Sequence, residues 1–72
     1  MRKREREILE AIERGETSTN HPSDAFVKEL RTMARYGWIT LKIQENHMTQ
    51  HGRWYIASYQ LTEEGKRALA EA

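Results

Sequence analysis

At Gly37 the hydrophobic pattern of this chain changes period, and that change constrains the fold more than any other feature. Before it, Phe26, Val27, Leu30, Met33 and Ala34 recur at helical spacing on one face. After it, Ile39, Leu41 and Ile43 alternate with Thr40, Lys42 and Gln44, the two-residue repeat of a half-buried strand. The glycine fits the left-handed residue that closes a helix, a conformation only glycine takes cheaply. In that frame Met33 and Trp38 are the pair that pack together across a Schellman end. A chain that passes from helix to strand at one glycine belongs to the α+β class.

The flanking segments extend this reading. A first helix is expected over residues 2–14, with Ile8, Leu9, Ala11 and Ile12 as a short apolar stripe and Gly15 as its stop. Glu10 and Arg14 add an i,i+4 pair in the favourable order. Residues 16–22 are polar and rich in turn formers, which predicts a loop. The second helix is expected from 22 or 23 to 36, with Pro22 in its first turn and Ser23 or Asn20 as its cap. A polar loop over 45–52 then separates the first strand from a return strand over 53–61. In that strand Trp54 and Ile56 face one side, and Tyr55, Ala57, Tyr59 and Leu61 the other; a one-residue slip would exchange the faces. Thr62 caps a last short helix, with Glu63 and Glu64 at its positive end and a small-residue face of Gly65, Ala68, Leu69 and Ala72. The predicted architecture is a single small α+β domain over residues 1–72, in the order helix, loop, helix, β-hairpin, helix.

Composition limits what such a domain can do. With 72 residues, 38% apolar and 32% charged, the core must be thin, and any added stability it needs has to come from oligomerisation. The absence of cysteine excludes disulfides and thiolate metal sites. The longest apolar run, Trp54-Tyr55-Ile56-Ala57, is far short of the roughly 20 residues of a membrane span. Glu5, Glu7 and Glu10 interrupt the apolar stretch that a signal peptide would need after Arg2-Lys3-Arg4, so a cytoplasmic setting is expected. The net charge is +1, so any nucleic-acid surface has to arise from segregation of charge rather than its total.

The run Leu30-Arg31-Thr32-Met33-Ala34-Arg35-Tyr36-Gly37-Trp38-Ile39, then a hairpin, then Tyr59-Gln60-Leu61-Thr62-Glu63-Glu64-Gly65-Lys66-Arg67-Ala68-Leu69, resembles a winged helix domain. The nearest type is that of the PadR-like and MarR-like transcriptional regulators of bacteria and archaea. The similarity covers about residues 26–69. The resemblance implies a recognition helix ending at Gly37, a wing hairpin, and an exit through a "Tyr-x-Leu-Thr-x-x-Gly" motif. The chain departs from the family between its first two helices. Only residues 16–22 stand where the family carries a further helix, so that helix is shortened or missing. This element helps set a recognition helix against DNA.

On the second helix Lys28, Arg31 and Arg35 follow i, i+3, i+7, with Asp24 and Thr32 beside them and Ser23 at the helix start. The functional reading is a face for double-stranded DNA, with arginine on guanine and the cations on phosphate. The plainer reading is an ordinary solvated helix exterior. Lys42, His47, His51 and Arg53 are the wing candidates, against a solvated polar loop. Arg2, Lys3, Arg4 and Arg6 are either a phosphate-binding arm or a frayed terminus. His47 and His51 are four apart but fall in a predicted loop, which does not make a metal site. With Tyr59 and Leu61 inward, as the resemblance implies, Trp54 and Ile56 point outward as a partner surface; a bulge near Ala57 or Ser58 would return them to the core.

The resemblance also implies a homodimer through the first or last helix, by Ile8 and Ile12 or by Leu69 and its small neighbours. The alternative is that these residues complete the monomer core. No catalytic constellation, phosphate loop or small-molecule cofactor motif is visible, so an enzyme is not expected. The expected function is a DNA-binding regulator. The rival is a protein-interaction module that has lost DNA binding and uses Trp54 and Ile56. A third reading, RNA binding, would rest on Trp54 alone.

Overall fold

The computed structural model describes residues 1–49 and 52–71, with side chains described for 1–44 and 55–71. The elements are α1 (Lys3–Glu13), β1 (Ser18–Asn20), α2 (Asp24–Arg35), β2 (Ile39–Thr49), β3 (Gly52–Leu61) and α3 (Glu63–Glu71). The strands form one antiparallel sheet in the order β1-β3-β2. The α+β expectation holds, with one addition: the segment read as loop contains β1.

Both long helices stop by the same device. Gly37 has φ 84, the Trp38 N–H donates to the Met33 carbonyl at 3.1 Å, and the Gly37 N–H to Ala34 at 3.0 Å. Gly15 has φ 109, the Glu16 N–H donates to Ala11 at 3.1 Å, and the Gly15 N–H to Ile12 at 3.0 Å. Each is a Schellman end, which satisfies carbonyls that the last turn leaves open. At the start of α2, Ser23 is the cap, its Oγ accepting the Phe26 N–H at 3.1 Å.

β1 is made by its neighbours. Its three polar residues pair with β3 as Ser18 to Ser58, Thr19 to Ala57 and Asn20 to Ile56. The ladder is continued on either side, with Tyr59 N–H donating to the Thr17 carbonyl at 2.8 Å and His21 N–H to the Tyr55 carbonyl at 2.9 Å. His21 itself turns the chain toward α2 at φ 51. The hairpin strands are also longer than predicted. β2 runs through most of the expected loop to Thr49, and Thr49 pairs with Gly52.

The β2–β3 register is unbroken from Ile39–Leu61 to Asn46–Trp54. It puts Ile39, Leu41 and Ile43 on one face with Leu61, Tyr59 and Ala57. The three helices cover that face, α2 on β2, α1 and α3 on β3. The core is Ile8, Leu9 and Ile12 from α1, Leu30 and Met33 from α2, and Ile39, Ala57 and Tyr59 from the sheet. Phe26 closes it edge-on against Tyr59, with ring centroids 6.2 Å apart. Burial of Ile8 and Ile12 in this core removes them from a dimer surface.

The closing motif welds α3 to the helix-to-strand turn. The Thr62 hydroxyl donates to the Gly37 carbonyl, and its oxygen accepts the Gly65 N–H at 3.0 Å. The Thr62 N–H donates to the Trp38 carbonyl at 3.0 Å. Gly65 is buried against that same carbonyl, so close that a Cβ would overlap its oxygen. A threonine and a glycine three residues apart are what let a short helix dock on a backbone turn.

Candidate nucleic-acid interface

The exposed charge of α2 lies on the side away from its buried Leu30 and Met33. Lys28, Arg31 and Arg35 are all exposed, and among the described residues none has a carboxylate partner. The acid on this helix that is paired, Glu29, is drawn off to α1 by Arg4 at 3.0 Å. This division leaves the cations of α2 without a carboxylate partner among the described residues, although the chain as a whole is nearly neutral.

Two of these cations, Lys28 and Arg31, line a groove between α2 and the hairpin. The groove holds about 510 Å³. Pro22, Ala25 and Val27 form its wall on the helix side, Ile43 and Tyr55 on the sheet side, and Asp24 stands at the start of α2. Tyr55 keeps the register parity of the buried Ala57 and Tyr59 but is 38% exposed, because it lies beyond the end of the core. The sequence pattern leaves the face of Tyr55 open, and neither it nor the resemblance singles Tyr55 out as a site residue. Its position in the groove depends on how far α2 reaches along the hairpin, and hydrophobic periodicity does not encode that.

The remaining expected site residues are dispersed. Ser23 uses its oxygen to cap α2, and the Thr32 hydroxyl donates to the Lys28 carbonyl at 3.0 Å. Lys42 is exposed opposite Ser58 on the outer face of the sheet, away from α2, so it does not join Lys28 and Arg31. His51 lies outside the described residues, as do the side chains of His47, Arg53 and Trp54. Ile56 pairs with Gln44 and Trp54 with Asn46, the register of the outer face. No irregularity occurs near Ala57 or Ser58; the register shift falls between Asn46 and Thr49. The bulge that would have returned Ile56 to the core is therefore not the arrangement adopted, although Ile56 is half-buried where it stands.

Elsewhere, burial raises the Tyr59 phenol above its ordinary value of 10.0, and the Glu16 carboxylate adds to the effect. Tyr59 borders a second cavity of about 430 Å³ between α1, β1 and α2, with Arg4, Glu7 and Glu16 at its edge. Among the described residues no group of three or more His, Cys, Asp or Glu is placed to hold a metal ion, and no helix is long and apolar enough to cross a membrane. Comparison with known proteins found no matching family model, curated protein or solved structure.

Proposed function

We propose that this chain is a small winged-helix-like protein that binds double-stranded DNA, with α2 in the major groove and the β2–β3 hairpin as its wing. The observation that carries the reading is the row of exposed cations Lys28, Arg31 and Arg35 on α2, without carboxylate partners among the described residues, two of them lining the groove beside the hairpin. Arginine on a helix can bridge guanine O6 and N7, and the neighbouring cations neutralise phosphate. The winged-helix assignment draws on the Gly37 turn and on the Thr62–Gly65 dock, which give the resembling motifs a mechanical role here. A transcriptional regulator in the cytoplasm is the role that follows from this reading. A homodimer through the first or last helix would favour a pseudo-palindromic site.

An amide chemical-shift titration with a mixed-sequence duplex tests the reading. Shifts on residues 23–36 that fade as salt is raised are the expected result. No shifts at low salt, or shifts confined to residues 2–6, overturn it. A second reading, a protein-interaction module, is favoured by the outer-face register of Trp54 and Ile56. Under it, changing Ile56 abolishes partner binding and changing Arg31 does not.

A further inference from the structure

We infer that the groove between α2 and the hairpin receives one unpaired nucleobase, stacked on Tyr55, with Lys28 and Arg31 on the adjoining phosphates. The inference rests on the nucleic-acid reading above and deepens it. Tyr55 is a large ring left 38% exposed on a concave surface that Val27 and Ile43 also line. Its backbone is pinned, because the His21 N–H donates to its carbonyl at 2.9 Å and ties the end of β1 to β3. The backbone that carries the ring is therefore fixed at the mouth of the groove before any ligand arrives.

Charge selects the occupant. Lys28 and Arg31 have no carboxylate partner among the described residues, so the groove pairs an apolar floor with two free cations. Asp24, at the start of α2, keeps phosphate away from that end and toward the cations. A nucleotide has this same division: a planar apolar face and an anion beside it. A fully paired duplex hides the faces of its bases, and an unpaired nucleotide offers one at little cost. An amphipathic helix would require several anchors along its length, whereas Tyr55 is the one aromatic ring among the described residues that line the groove.

Three labelled DNA duplexes test this by fluorescence anisotropy at one salt concentration: one with a bulged thymidine, one with an abasic residue as the bulge, and one perfectly paired. The thymidine bulge is expected to bind about tenfold more tightly than the abasic bulge. Tyr55→Leu keeps apolar bulk and should bring that ratio to one, while Tyr55→Phe should retain it. A 2-aminopurine in the bulge should lose emission on the wild-type protein and keep it on Tyr55→Leu. Equal affinity for the two bulges, with the perfect duplex still bound, overturns the base site and leaves the duplex reading standing. Failure to bind any of the three overturns both. A thymidine preference that survives Tyr55→Leu overturns the assignment to this groove. Methyl signals of Val27 and Ile43 that respond to an acidic amphipathic peptide, and not to the bulged duplex, overturn it in favour of a protein partner.

Discussion

Gly65 shows how one missing side chain sets a helix in place. A methyl group there would overlap the Trp38 carbonyl oxygen and approach the Leu61 Cδ1 to 2.8 Å. The carbonyl is held by the Thr62 N–H, so it cannot turn aside without losing that bond. Gly65→Ala should therefore cost about 3 kcal/mol, the upper end of overpacking penalties, read from the urea unfolding midpoint. A cost near zero would mean that α3 is not docked as described. Tyr59 carries a second prediction. Its phenol is held above 10.0 by burial, with Glu16 adding, so the unfolded chain gives up this proton before the native state does. The native state then binds more protons, and stability contributed by Tyr59 is full below pH 10 and falls as pH rises above it. Between pH 9 and 11 the melting temperature of Tyr59→Phe should fall less than that of the wild type. Parallel declines would show that Tyr59 titrates alike in both states.

At the scale of elements, legibility follows whether the cause is local. The ends of α2 were readable because Ser23 and Gly37 act within a few residues of where they stand. The core face of β2 was readable because alternation in Ile39, Leu41 and Ile43 maps directly onto the pleat. β1 was not, since Ser18-Thr19-Asn20 has no apolar alternation; it is a strand because Thr17 and His21 bond to β3 on either side of it. The candidate site divides the same way. The three cations of α2 follow from helical spacing, but Lys42 and Tyr55 depend on which face of the sheet meets the helix. Lys42 pairs with Ser58 on the outer face, whereas Lys28 lines the groove. Lys28→Gln should weaken duplex binding severalfold, and Lys42→Gln should leave it within experimental error, measured side by side by anisotropy. Equal losses would place DNA across both faces and remove the groove as the contact.

At the scale of the whole molecule, a net charge of +1 and a DNA-binding role are compatible only through segregation. Most of the acids lie on α1, α3 and the turns that adjoin them, and the pair Arg4–Glu29 takes one more out of α2. The molecule measures 45 × 20 × 18 Å. An eleven-residue strand spans about 36 Å, so the hairpin accounts for most of that length; on the proposed reading it lies along a duplex while α2 enters the groove. Lys28, Arg31 and Arg35 are then the phosphate and base contacts available on the helix. Three cations releasing counterions give a slope of about −2.7 in log K against log salt, a shallow dependence for a DNA-binding protein. Replacing one cation with a neutral isostere should lower the slope by about 0.9. Arg31→Gln is the informative change, because the residue is exposed and its loss removes no described ion pair. If Arg31 reads a base as well as a phosphate, the same substitution will also narrow the difference between preferred and random duplexes. A slope that stays unchanged in Arg31→Gln would mean that α2 does not meet the phosphates, and the search for a partner would move to the outer face of the sheet at Ile56.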